Sequence, residues 1–332
     1  MTSIRIGIVG AGTISATMHV PVLRAIPSIE IAWITDNNSR RSEALAAANS
    51  IRAVSVGDDL TRLPDCDVAL LAIPLLSRGS YFEHFANLKV SVMAEKPLSI
   101  ASDEHRRIVG LFEPWQLAVG YQRRQYATAR ALRGIIEARL FGRLREVRMA
   151  EGARTTRSGP SGGYQDESVA RGGGIVKNLG CHSLDLALWL TGATEYLVID
   201  REVTWDGDTD RRATCTVQLT RSGPSSELDC QLVWTVSWLD HQPNTMEFEF
   251  DNAILCCNVK PDSKISLKSA SLSTPIELET INTGGAVTAT QAFYLEWMDF
   301  LNSMSQQTES SQSGRSTILV ADLMDEILAR AG

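Results

Sequence analysis

The segment IRIGIVGAGTISATMHVPVLRAIPSIEIAWITD, residues 4–36, constrains the fold more than any other. A β-rich run ends in glycines, a stretch with helical spacing of apolar residues follows, and a second β-rich run closes on an acid. In that setting Gly10, Gly12 and Ser15, spaced GxGxxS, have a physical reading. The first glycine permits a tight turn, the second lets a pyrophosphate approach the backbone, and a small third residue allows close helix packing. Ser15 stands where Gly or Ala is usual. Gly10, Gly12, Thr13 and Ile14 are therefore the expected pyrophosphate cradle of a dinucleotide site. Asp36, with Asn37 beside it, is placed to accept hydrogen bonds from an adenosine ribose and to repel a 2′-phosphate, which favours NAD. Arg40 and Arg41 follow at once and leave NADP open, although Ser39 is a good N-cap for a helix that would turn both arginines to solvent.

The alternation continues through CDVALLAIP, a helical stretch over 77–88, and KVSVMAEKP. Strands and helices in this order predict a doubly wound parallel sheet, with ligands at the carboxyl ends of the strands. Pro74, Glu95, Lys96 and Pro97 stand at two such ends. After GYQRR one long helix is expected over 125–140, and the chain then changes character. Five β-rich runs between 144 and 259 lack intervening helices apart from one glycine-led stretch, which predicts a largely antiparallel sheet of five or six strands. The expected organisation is an α/β Rossmann domain over 1–122 and an α+β domain with a large, mostly antiparallel open sheet over 123–332. Two helices close the chain, the last expected to pack back on the Rossmann domain, and the polar linker between them, SQQTESSQSGRS, is expected to be mobile.

The glycine-led stretch is GGGIVKNLGCHSLDLALW, residues 172–189. Spacing i, i+4, i+7 puts Asn178, His182 and Asp185 on one helical face. The glycines would let backbone come close to a ligand. A helical histidine alone is more often a hydrogen-bonded structural residue than a catalyst, and no cluster of His, Cys or acids completes a metal site around it.

Composition narrows the function. The 332 residues carry a net charge of −7, which disfavours nucleic acid as a partner. The longest apolar run, VALLAIPLL, is too short to cross a bilayer, and the amino-terminal run reads as a strand and not as a leader, so a cytoplasmic location is expected. Six scattered cysteines suggest neither zinc nor a disulfide framework. Between 121 and 171 lie eleven arginines against five acids. That local excess suggests an anionic substrate, with Arg124, Arg154, Arg157 and Arg171 as the expected contacts, whereas Arg130, Arg133 and Arg139 read as solvated helix positions.

Taken together, GIVGAGTIS with HVPVL behind it, AIP, AEKP, VGYQRR, LFGRLREV and GGGIVKNLGCHSLDLALWLTG resemble the Gfo/Idh/MocA oxidoreductases, in order from residue 7 to residue 192. The resemblance implies nicotinamide held between the two domains, and a subunit interface on the open sheet of a homodimer or homotetramer. It implies Lys96 and His182 as the catalytic pair. Moving a hydride from a carbinol carbon leaves a hydroxyl proton for a base, and an imidazole, with its ordinary pKa of ~6.5, serves in both directions. Lys96 would hold the reacting oxygen and stabilise its charge. Asn178 stands where many relatives have aspartate: it can orient a substrate hydroxyl but brings no charge. Asp185 would contact substrate or orient His182. Arg78 stands where relatives usually carry histidine. The implied activity is NAD(P)-dependent oxidation or reduction of a secondary alcohol or ketone on a sugar, sugar acid, cyclitol or sugar nucleotide. Reduction of an imine or conjugated double bond, and nucleotide sensing without turnover, are the alternatives.

Overall fold

The computed structural model describes residues 3–57, 59–154, 173–221, 228–271, 273–280 and 283–330. The chain divides into two compact units, Met1–Tyr121 with Phe293–Ile318, and Gln122–Ala292 with Leu319–Gly332.

The first unit is a five-stranded parallel sheet in the order β2-β1-β3-β4-β5, made of β1 (Ile4–Val9), β2 (Ile29–Thr35), β3 (Val68–Leu71), β4 (Ser91–Glu95) and β5 (Leu117–Gly120). Strand order reverses at β1, so the ends of β1 and β3 flank the crevice where such sheets take ligands. The chain leaves β1 through Gly10 into a helical run whose π-turn, Ser15–His19, continues as α1 (Val20–Arg24). Helices α2 (Ser39–Asn49), α3 (Gly79–Asn87) and α4 (Ser102–Val109) complete the alternation. The sheet's β-branched and leucine side chains form a core with Val20, Leu23 and Phe293, Trp297 and Phe300 from a later helix.

Those aromatic residues belong to the penultimate helix. They repeat at three- and four-residue spacing, so one face of the penultimate helix packs into the first unit, whereas most of the last helix groups with the second. The linker that follows is pinned, not mobile. Its backbone bonds to β5 through Val119 N–H to Gln312 O and Gly314 N–H to Leu117 O, and Ser313 is fully buried. Polar composition suggested disorder, but serine and glutamine backbones pair with a sheet edge as well as any other.

The second unit holds α5 (Ala127–Glu137), shorter than expected, and a sheet of eight strands. These are β6 (Leu144–Gly152), β7 (Glu195–Asp206), β8 (Thr209–Arg221), β9 (Leu228–Ser237), β10 (Thr245–Phe250), β11 (Ile254–Asn258), β12 (Ile265–Lys268) and β13 (Ile276–Leu278). Their order is β13-β12-β11-β10-β6-β9-β8-β7, antiparallel except for the β6–β9 pair. The count exceeds the expected five or six because TMEFEFDNAILCCNV folds as a hairpin, β10–β11, and because two short strands follow it. Helix α6 (Cys181–Thr191) packs on β6, β9 and α5, with the Trp234 indole of β9 donating to Ser183 Oγ at 2.8 Å. Helices α7 (Ala289–Gln306) and α8 (Ile318–Leu328) end the chain. None of the six cysteines forms a disulfide, and four are buried. Among the described residues no helix is long and apolar enough to cross a membrane, and no group of three or more His, Cys, Asp or Glu could hold a metal.

Candidate active site

The glycine loop fits a dinucleotide. Gly10 adopts φ +107°, and a Cβ there would lie 2.3 Å from the carbonyl oxygen of Ala72, so both backbone and space demand glycine. At Gly12 a Cβ would meet nothing within 4 Å among the described residues, at the start of a helical run whose first N–H groups have no acceptor within it. Thr13 is exposed and Ile14 half-buried. Ser15 departs from the usual residue to good effect, because its buried hydroxyl donates to Gly10 O at 2.6 Å and braces the turn. Asp36 turns its carboxylate to this loop: Oδ2 accepts the Ala11 N–H at 2.7 Å and Oδ1 the Asn38 N–H at 2.8 Å. Asn37, Arg40 and Arg41 are exposed beyond it.

At the end of β4 the turn Glu95-Lys96-Pro97, with a cis Lys96–Pro97 peptide, is held from several sides. His19, fully buried, accepts the Trp297 indole N–H on Nδ1 at 3.1 Å, which leaves its proton on Nε2 to donate to Glu95 Oε1 at 2.9 Å. Burial pushes the Glu95 carboxyl up, but the His19 hydrogen bond and the positive charges of Lys96 and Arg78 hold it below the ordinary carboxylate range. Lys96 itself is half-buried, and so is Pro74 after β3. Arg78, His19 and Trp297 carry no role in the sequence reading. His19 opens the HVPVL motif and Arg78 departs from the residue usual in relatives, but nothing in sequence ties Trp297, 278 residues from His19, to this turn.

In the second unit a π-turn, Val176–Gly180, leads into α6. Asn178 lies in this wider turn and is half-buried, and His182 follows in the first turn of α6 with 8% of its surface exposed. Such π-turns are frequent at functional positions. Gly174, ahead of it, serves a different purpose from the expected one. A Cβ on Gly174 would sit 1.6 Å from Asp210 Oδ1, and Asp210 Oδ2 accepts the Val176 N–H at 2.7 Å, so Gly174 admits a buried carboxylate that caps the helical run. Asp210 itself was missed, being invisible to local pattern.

The expected substrate contacts change most. Arg124 and Asp185, each with only 2% of its side chain exposed, face each other: Arg124 Nε donates to Asp185 Oδ2 at 2.9 Å and its Nη2 donates to Oδ1. Burial raises the Asp185 carboxyl while the guanidinium pulls it down, and the pair satisfies charges that the sequence reading assigned to substrate. The arginine excess is likewise offset in part by ion pairs. Arg123 forks onto Glu151 at 2.6 and 2.8 Å, Arg133 meets Glu137, Arg145 meets Asp251, and Arg148 lies among Glu146, Glu247 and Glu249. Arg154 is exposed. Arg157 and Arg171 lie outside the described residues.

Comparison with known proteins fits this geometry. Residues 4–121 match the profile of an oxidoreductase family with an NAD-binding Rossmann fold, and residues 129–253 match the GFO/IDH/MocA C-terminal domain. The chain belongs to the GFO/IDH/MocA oxidoreductase family. The rhizopine catabolism protein MocA of Rhizobium meliloti is 28% identical over 211 residues, covering 62% of this chain and 64% of that protein. Inositol 2-dehydrogenase of Rhizobium meliloti strain 1021 is 25% identical over 217 residues, 63% of each. The alignments thus span somewhat under two thirds of those relatives. Among solved structures, the 3-ketoreductase KijD10 of Actinomadura kijaniata, in complex with NADP and TDP-benzene, shares the fold over 98% of this chain and 97% of its own at a TM-score of 0.80 and 17% identity.

Proposed function

We propose that the protein is an NAD(P)-dependent oxidoreductase acting on a secondary alcohol or ketone of a sugar-like substrate. The observation that carries this reading is the joint presence of an open, acid-flanked glycine loop and a rigidly mounted Lys96 in a family member that also retains His182. Nicotinamide, when bound, supplies or accepts the hydride. Lys96 presents an ammonium that hydrogen-bonds the reacting oxygen and stabilises negative charge on it. His182 takes the hydroxyl proton during oxidation and returns it during reduction. Asn178 offers an amide that donates to and accepts from a sugar hydroxyl without altering the charge balance. Arg124 and Asp185 act indirectly, by fixing the start of the second unit against α6. The names of the relatives, a 3-ketoreductase seen with TDP-benzene and an inositol dehydrogenase, support cyclitols, sugars and sugar nucleotides as the substrate class.

The test is cofactor absorbance during incubation with a panel of sugars, sugar acids, cyclitols and sugar nucleotides. Turnover of a carbinol or ketone is expected. Nucleotide binding without turnover of any panel member would overturn the reading in favour of a sensor.

Asp36 makes NAD the proposed partner over NADP. Its carboxylate is fixed at the loop by two backbone N–H groups, where a 2′-phosphate would meet a like charge. Asp36→Ser is expected to move the ratio of NADP to NAD binding upwards by about ten- to a hundred-fold, as loss of a like-charge clash implies. Titration of both nucleotides by calorimetry checks it; an unchanged ratio would mean that Asp36 does not read the ribose.

A further inference from the structure

Arg78 is among the largest fully buried side chains, at 1% exposure, and it sits in the turn between β3 and α3. A buried guanidinium is costly unless its donors are used. Here Nε donates to Ile73 O at 2.8 Å, and Nη1 donates to Pro97 O at 2.6 Å and to Glu95 O. The last two carbonyls belong to the residues immediately before and after Lys96. The first belongs to the loop that leaves the neighbouring strand just ahead of Pro74. One planar group therefore fastens the carboxyl ends of two adjacent parallel strands together, and does so on both sides of the lysine. His19 secures the Glu95 side chain from another direction. The Lys96 backbone is held while its side chain stays half-exposed.

We propose that Arg78 is a positioning residue for Lys96. It sets where the ammonium stands and ties that placement to the loop carrying Pro74, on the ligand-binding edge of the sheet. The fork geometry explains the residue type. A neutral imidazole offers one donor and an ammonium is a point charge on a flexible stem, so neither reaches these three carbonyls in one plane. The proposal rests on Lys96 acting on the reacting oxygen, and its test has an arm that does not.

The experiment compares wild type with Arg78→Lys and Arg78→Gln. It measures kcat and KM on whichever panel substrate turns over, and the rate of reductive methylation of Lys96 by peptide mass spectrometry, with the other lysines as internal standards. A displacement of about 1 Å at a reacting group costs up to about a hundred-fold, so kcat is expected to fall by about ten- to a hundred-fold with little change in KM for the sugar. Lys96 methylation is expected to change several-fold, other lysines keeping their wild-type rates. A general loss of structure would instead alter all lysines and KM together, and that pattern, or wild-type kcat and wild-type Lys96 reactivity in Arg78→Lys, overturns the proposal. If wild type turns over nothing, the functional reading fails, and Lys96 reactivity still decides the role of Arg78. Should Arg78→Gln not fold, Arg78→Lys carries the test alone.

Discussion

Lys96→Met and His182→Ala are each expected to lower kcat and kcat/KM together, by about a hundred- to ten-thousand-fold, with nucleotide affinity largely kept in His182→Ala. The size follows from the roles. Removing one preorganised donor to a developing oxyanion costs about a hundred- to a thousand-fold, and losing a positioned acid or base about a hundred- to ten-thousand-fold. Equal losses in kcat and kcat/KM mark an interaction made in the transition state and not in the ground state. The double variant is expected to be scarcely worse than the poorer single one, because two groups serving one proton and one oxygen act as a unit. Oxidation by wild type should also rise with pH and then level as the base loses its proton, a limb that His182→Ala lacks. Steady-state kinetics in both directions over pH 5.5–9 checks this. Turnover near the wild-type level in either single variant would remove that residue from the reaction.

The parts of this site legible in the sequence are those that local backbone chemistry dictates. Gly10 is fixed by its φ and by the Ala72 carbonyl, Asp36 by the end of a strand, and the GxGxxS spacing records both. Lys96 and His182 were reached only because separate short motifs occurred in a family's order. The charged residues were misread where their partners come from far along the chain. Asp185 lies 61 residues from Arg124, Asp251 lies 106 from Arg145 and Glu247 lies 99 from Arg148, so a count along the sequence saw unpaired arginines where the fold has ion pairs. Gly174 was misread for the same reason: the atom it makes room for is on Asp210, in another element. The π-turn at Val176–Gly180 also changes the angular spacing between Asn178 and the residues of α6, which no apolar periodicity announced. The proposed catalytic side chains were nearer to hand than those that hold them in place.

Glu296→Gln is expected to remove a pH-dependent loss of stability from the first unit. Glu296 lies on α7 beside Trp297, 1% exposed, and among the described residues neither of its carboxyl oxygens has a hydrogen-bond partner. Burial pushes its carboxyl well above the ordinary range, and the nearby charges of Glu95 and Asp299 push the same way. Glu95 keeps its own charge through His19, so of the two acids Glu296 is the one that stays protonated. In the unfolded chain Glu296 ionises near its ordinary pKa of about 4.3, while in the fold it keeps its proton to a higher pH. Over that window the folded state binds more protons, and stability falls as pH rises, by about 1.4 kcal/mol per pH unit, until the folded carboxyl itself ionises. Below the unfolded value the stabilisation is fully present. Glutamine has the same shape and no proton to lose, so its variant should show a flatter profile. Absolute stabilities will differ because a buried amide also needs partners, and the slopes therefore carry the result. Urea melts of both proteins between pH 5 and 8.5 give the difference curve, in which every other titrating group common to the two cancels. A difference that grows steadily in favour of Glu296→Gln on the alkaline side is expected; parallel curves would mean that the Glu296 carboxyl is ionised in the fold and finds its counter-charge there.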